Sequence, residues 1–195
     1  MNRRLSRLSI LAAMGALSFI FMLFEVPLPF FPPFLKVDAG DLPALLTALL
    51  YGPGAGIGIE GIKNVLHYLI RGGDAGLPIG QAANFLAGSV YVSVAAWAYG
   101  RRSDAAGLAA GLALGALLTA VVMAAANYFI LFPLYIAVLH YPIAREDILP
   151  LILTAIFPFN LVKGGLIGIV AFALYSRLHG WIRERRATEA SAERR

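Results

Sequence analysis

Apolar residues run along this chain in long blocks, broken at intervals by prolines, glycines and charges. The blocks lie at about Leu8 to Phe24, Asp41 to Tyr51, Ala55 to Ile70, Gly80 to Tyr99, Gly107 to Tyr135 and Ile148 to Leu178. A helix of about twenty apolar residues crosses a hydrocarbon core of roughly 30 Å. The second and third blocks, parted by the turn formers Gly52-Pro53-Gly54, are short for perpendicular spans. The pattern predicts an all-α integral membrane protein of six transmembrane helices.

Composition agrees. With 59% hydrophobic and only 14% charged residues, and a mean hydropathy of +0.76, the chain has too little polar surface to coat a soluble globule. The net charge of +5 does not point to nucleic acid, because the basic residues cluster at the ends of apolar runs and no basic face alternates with stacking aromatics. Absence of cysteine excludes thiolate chemistry, disulfides and cysteine metal sites. No linker divides the chain, so 1–179 reads as one membrane domain and 180–195 as a charged tail, a solvated helix end that frays. A signal peptide over the first block is disfavoured, since Phe24-Glu25-Val26-Pro27 follows it in place of a small-residue cleavage site.

With an even number of spans and the N-terminus placed inside, one side holds Arg3, Arg4, Arg7, Arg101, Arg102, Arg177, Arg183, Arg185, Arg186, Arg194 and Arg195. The other holds Lys36, Arg71 and Arg145. This asymmetry places both termini in the cytoplasm, with juxtamembrane arginines near anionic lipid.

Two lysines fall inside spans, where an ionisable group costs about 2.5 to 3.5 kcal/mol and normally faces a partner or a cavity. Lys63 belongs to a stripe of Glu60, Lys63, Asn64 and His67 at helical spacing. Glu60 neutralises Lys63, so the stripe reads as a self-satisfied polar seam ahead of a ligand or proton path. A metal site is disfavoured because Glu60 and His67 lie two turns apart. The local GIGIEGIKN imitates a phosphate loop but lacks the required GK followed by Ser or Thr, so the chain carries no recognisable ATP site.

Lys163 is different. Its own helix offers no counter-ion nearer than Glu146 and Asp147, and Asn160 shares its face at i, i+3. Asn127, in the outer part of the fifth block, comes towards the same depth on an antiparallel neighbour. Interhelical hydrogen bonding by Asn and snorkelling by Lys is the bland alternative, but Lys163 lies too near the middle of its span to snorkel. Two amides, an ammonium and many aromatics suit a planar heterocycle with imide donors and acceptors, its edge read by the amides and its faces covered by apolar side chains. No paired carboxylates, HExxH or Ser beside a His base suggests catalysis, so no catalytic residue and no metal site is assigned.

The outward loop VPLPFFPPFLKVDAGDLP is rich in proline and reads as a stiff, extended lid carrying Phe30, Phe31 and Phe34 with Lys36, Asp38 and Asp41. An interfacial loop resting in the headgroups is the equal alternative. RGGDAGLPIG, glycine-rich, reads as a movable gate.

FPPFLKVDAGDLPALLTALLYGPGAG, IEGIKNVLHYLI, GQAANFLAGSVY and FNLVKGG, in this order over about Ile10 to Leu174, resemble the riboflavin-specific substrate-binding (S) component of energy-coupling-factor (ECF) vitamin transporters. The resemblance implies a six-helix S-component fold in a prokaryotic cell membrane. It implies capture of riboflavin from outside, and partnership with an ECF coupling membrane subunit and two ATPase subunits that alone use ATP. No cofactor is implied, riboflavin being the transported ligand. Asn127, Asn160 and Lys163 match the family's flavin contacts, with Asn84 a weaker candidate and Phe34, Lys36 and Asp38 as loop candidates. In SILAAMGA, Ala12 and Ala16 match a small-residue face for docking on the coupling subunit, although Gly107, Gly111 and Gly115 form an equally good stripe. Remaining readings are an S component for another vitamin, a proton-coupled carrier using Glu60, Lys63 and His67, and a non-transport assembly protein.

Overall fold

The computed structural model describes residues 3–140 and 142–193; Arg194 and Arg195, counted above for the inside face, lie outside the described residues. α1 (Arg3–Met22), α2 (Asp41–Tyr51), α3 (Pro53–Arg71) and α4 (Ile79–Arg101) follow the first four apolar blocks closely. The last two blocks are longer and interrupted. α5 (Ala105–Ala126) passes through a π-helical turn, Asn127–Leu131, into α6 (Phe132–Leu139), and α7 (Arg145–Leu151) passes through a second, Ile152–Ile156, into α8 (Phe157–Glu193), which continues unbroken past Gly180.

The two π turns have one local cause. Each is followed by Phe-Pro, and proline has no N–H while its ring collides with the carbonyl four residues back. Ahead of Pro133 the N–H of Phe132 reaches back five residues to the Asn127 carbonyl, and ahead of Pro158 that of Phe157 reaches the Ile152 carbonyl. The widened turn accommodates the ring and keeps the helix continuous.

Among the described residues, Ile79–Arg101, Ala105–Leu139 and Arg145–Ile182 are each long and apolar enough to cross a membrane. Their outward faces are apolar, with Phe129 73%, Leu153 61% and Ile169 70% exposed, as a lipid-facing surface requires. α2, with 11 residues, is about 16 Å long and almost wholly buried among its neighbours. The main core, with Leu45, Leu49, Val92, Leu108 and Ile182, lies between α2, α4, α5 and α8. Here the α5 glycine stripe has its role: a Cβ on Gly111 would come within 2.9 Å of the Ala95 carbonyl, and one on Gly115 within 3.2 Å of Tyr91. The stripe is packing against α4. Ala12 and Ala16 are instead exposed, while Gly15 and Ser18 face inward.

The helix ends sort into two groups. One end gathers the start of α1, the α2–α3 and α4–α5 turns and the later part of α8. Arg7 stacks over Tyr51 (5.3 Å to the ring centre), Arg101 over Trp97 (5.0 Å), Arg185 over Trp181 (5.7 Å) and Arg186 over Tyr99 (4.9 Å) there. At the opposite end lie the α1–α2 and α3–α4 loops, tied together by Arg71 donating to the Leu23 carbonyl (3.4 Å).

The α1–α2 loop corrects the expected extended lid. β1 (Val26–Pro27) pairs antiparallel with β2 (Lys36–Val37), and turn bonds from Phe31 N–H to Leu28 O (3.3 Å) and Leu35 N–H to Pro32 O (2.9 Å) fold the intervening segment back. Fixed proline φ values suit such turns and short edge strands as well as they suit an extended arm. Beyond Val37 the chain turns inward, burying Asp38, Gly40 and Asp41. Non-helical backbone at that depth must satisfy its polar groups within the protein. The Gly40 N–H donates to Asp38 Oδ1 (2.8 Å), and the Gly40 carbonyl accepts from the buried Ser18 hydroxyl of α1.

Candidate functional site

At the loop end the helices diverge around a cavity of about 560 Å³. The π turns position two of its polar groups: Asn127 opens the first, and Asn160 lies in the first turn of α8, just after the second. Each amide nitrogen donates to the carbonyl four residues back, Asn127 to Met123 O and Asn160 to Ile156 O, both at 2.8 Å. The side-chain oxygens are left as acceptors on the cavity wall. Lys163, one turn along α8 from Asn160, lines the same wall, as do Asn84 of α4 and Phe34 and Lys36 of the α1–α2 loop.

Lys163 is not the lone cation that its helix suggested. The inward-turning loop brings Asp38 Oδ2 to 3.4 Å and Asp41 Oδ2 to 3.3 Å from its ammonium. Asp38 therefore stands behind Lys163, not on the cavity wall, and also accepts from the Asn84 amide at 3.4 Å. Burial alone would push the Asp38 carboxyl up. The Lys163 and Lys63 ammoniums, the Gly40 N–H and the Asn84 amide overcome that and hold it well below the usual carboxylate range. Lys36 at the rim pairs with Glu25 at 2.5 Å.

The polar stripe of α3 is likewise more than a private seam. Lys63 lies 2.7 Å from Glu60 Oε2, as its spacing predicts, but it also donates to Asp41 Oδ1. Glu60 and Lys63 are fully buried behind the cavity, whereas His67 lines it. No group of three or more His, Cys, Asp or Glu among the described residues could hold a metal ion.

Several lining residues escaped the sequence reading. Gln81 donates to His67 Nδ1 (3.2 Å) and to the Gly72 carbonyl (2.8 Å), joining α3 to α4 across the rim. Asp74 accepts from the Tyr135 hydroxyl (2.8 Å) and the Gly80 N–H (3.0 Å), and Tyr68 donates to Gly76 O (2.7 Å), so hydrogen bonds clasp the glycine-rich loop shut. Phe132, Tyr135 and Phe159 complete the aromatic lining with Phe34. Helical spacing carried part of this signal, Gln81 standing one turn before Asn84 and His67 one turn before Arg71. The cavity thus presents four amides, two ion-paired ammoniums, Lys163 and Lys36, and aromatic walls. That set can hydrogen-bond to and stack on a flat polar molecule.

The family model described as "ECF transporter, substrate-specific component" matches residues 4–175. The chain is 37% identical over 185 residues to the riboflavin transporter FmnP of Bacillus subtilis (strain 168), covering 94% of this chain and 97% of that protein. It is 36% identical over 182 residues to the riboflavin transporter RibU of Staphylococcus aureus (strain TCH60), covering 93% of each. A solved structure described as "Structure and mechanism of the S component of a bacterial ECF transporter" superposes with a TM-score of 0.78 at 35% identity, covering 92% of this chain and 98% of that one. On sequence and fold alike, the chain belongs to the family of substrate-specific components of ECF transporters.

Proposed function

We propose that this chain is the membrane subunit that captures riboflavin from outside a prokaryotic cell and delivers it to an ECF module for ATP-driven import. The observation that carries the reading is the cavity at the loop end, where Asn127, Asn160 and Lys163 meet on one aromatic-lined wall, in a chain whose relatives are named riboflavin transporters. One Asn oxygen accepts from the single imide N–H of the ring and the other from a hydroxyl of the ribityl chain, Lys163 donates to a ring carbonyl, and Phe132, Tyr135 and Phe159 cover the faces. Asn84, Phe34 and Lys36 close the rim. The subunit is a binding component and not an enzyme, so ATP is used by two ATPase subunits, joined to it through a coupling membrane protein.

The arginine-rich end, with its four arginine-aromatic pairs, is assigned to the cytoplasm by the positive-inside rule. The cavity then opens outside and the chain is a multi-pass plasma-membrane protein. The exposed Ala12 and Ala16 on α1 are the docking face for the coupling subunit, because small residues let a partner helix approach closely.

Titration of stripped, detergent-purified protein with riboflavin, followed by quenching of flavin fluorescence, tests the assignment. Saturable quenching at one flavin per chain, weakened about tenfold or more by Lys163→Ala, is expected, since a lost charge-assisted hydrogen bond is worth about 1.5–3 kcal/mol. Absence of quenching by folded protein would remove riboflavin as the ligand.

A further inference from the structure

We propose that Asp38 and Asp41, which do not line the cavity, are positioning residues that aim the Lys163 ammonium at the ligand. The inference rests on the assignment of Lys163 to the binding site. An ammonium has three N–H donors and no acceptor. Asp38 Oδ2 accepts a hydrogen bond from it at 3.4 Å and Asp41 Oδ2 forms an ion pair with it at 3.3 Å, both from behind, so donor capacity is left for the cavity that Lys163 lines. Lysine is otherwise the loosest of the cationic side chains, a point charge on a flexible stem. Two carboxylates from the same inward turn restrict it.

Each carboxylate is itself fixed. Asp38 is held by the Gly40 N–H and the Asn84 amide. Asp41 divides its oxygens, Oδ1 accepting from Lys63 and Oδ2 facing Lys163. Lys63 is 0% exposed and cannot touch a ligand, so its part is to orient Asp41. The network also sets the chemistry at Lys163. With two carboxylates at its back, the ammonium acts towards the cavity as a hydrogen-bond donor to a neutral oxygen, and its attraction for a free anion is largely cancelled.

A double-mutant cycle separates positioning from general loss of structure, because residues acting through a common partner are not additive. Asp38→Asn and Asp41→Asn are each made in the unmodified protein and in the Lys163→Ala background, and riboflavin affinity is measured by quenching. Each substitution is expected to weaken binding about tenfold in the first background and to change nothing in the second. Equal losses in both backgrounds, or no loss in the first, would overturn the proposal.

A second readout needs no ligand and therefore decides the matter even if riboflavin does not bind the unmodified protein. The chain has three lysines, Lys36, Lys63 and Lys163, so reductive methylation with formaldehyde, read by peptide mass, resolves each one. Loss of either carboxylate is expected to raise the Lys163 labelling rate about tenfold with Lys36 unchanged. An unchanged Lys163 rate in both variants refutes the positioning role whatever the ligand proves to be.

Discussion

At the scale of single residues the site combines an economical signal with a hidden one. Asn160 and Lys163 were legible because two polar side chains one turn apart are conspicuous in an apolar helix, and Asn127 because it interrupts another. Their carboxylate partners were not, since Asp38 and Asp41 reach Lys163 only through an inward turn of the loop that no local periodicity encodes. Asp38 carries a pH prediction. Its carboxyl is depressed in the fold, so its contribution to stability is complete above the unfolded value near 3.9 and is lost as pH falls towards the folded one. The gap in melting temperature between the unmodified protein and Asp38→Asn is therefore expected to be constant from about pH 7 to 5 and to narrow below about pH 4. Gly88 supplies another test. A Cβ there would stand 2.5 Å from the Glu60 carboxyl carbon, so Gly88→Ala should destabilise by about 1–3 kcal/mol, seen as a lower melting temperature in detergent.

Among elements, the helix boundaries followed from apolar blocks and their turn formers, and α2 and α3 were located almost to the residue despite their short length. The π turns were not foreseen. The sequence contains their cause, Phe132-Pro133 and Phe157-Pro158, but proline in a helix can equally kink or end it; which outcome occurs depends on neighbours that hold the far side in place. The extended lid was misjudged for a similar reason, because proline content fixes local dihedrals and leaves the path of the loop to tertiary contacts such as Phe31 on Phe159 (5.6 Å). A π turn takes in one residue more than a regular turn, so the helix beyond it keeps the facing it would have without that residue. Deleting the lipid-facing Ile130 is therefore expected to restore regular α-helix with Phe132 and Tyr135 still towards the cavity, and to leave flavin quenching in place. Circular dichroism should show helix content unchanged; lost quenching would mean that the widened turn itself shapes the site.

For the whole molecule, the arginine distribution carried an expectation of sidedness, and the fold gathers Arg7, Arg101, Arg185 and Arg186 at one end with their aromatic partners while Arg71 lies at the other. Of the two small-residue stripes, Gly111 and Gly115 are buried against α4, and Ala12 and Ala16 lie outside, a difference that spacing alone does not carry. Ala12→Leu with Ala16→Leu is expected to leave riboflavin affinity within about twofold, because exposed substitutions remote from a site change little, while abolishing uptake in cells that supply the partner subunits. Undiminished uptake would move the docking face elsewhere.

The short α2 has one more implication. It begins behind Lys163 with Asp41 and fills the depth beneath the cavity with Leu45, Leu49 and their tightly packed neighbours, so the molecule is a cup and not a pipe. A solute resting at the bottom has solid protein beneath it. Opening a passage there would mean pulling apart the best-packed layers of the fold, whereas tipping the intact body within the lipid disturbs mainly its outer surface. A body that tipped in this way would use one brim as the door on both sides.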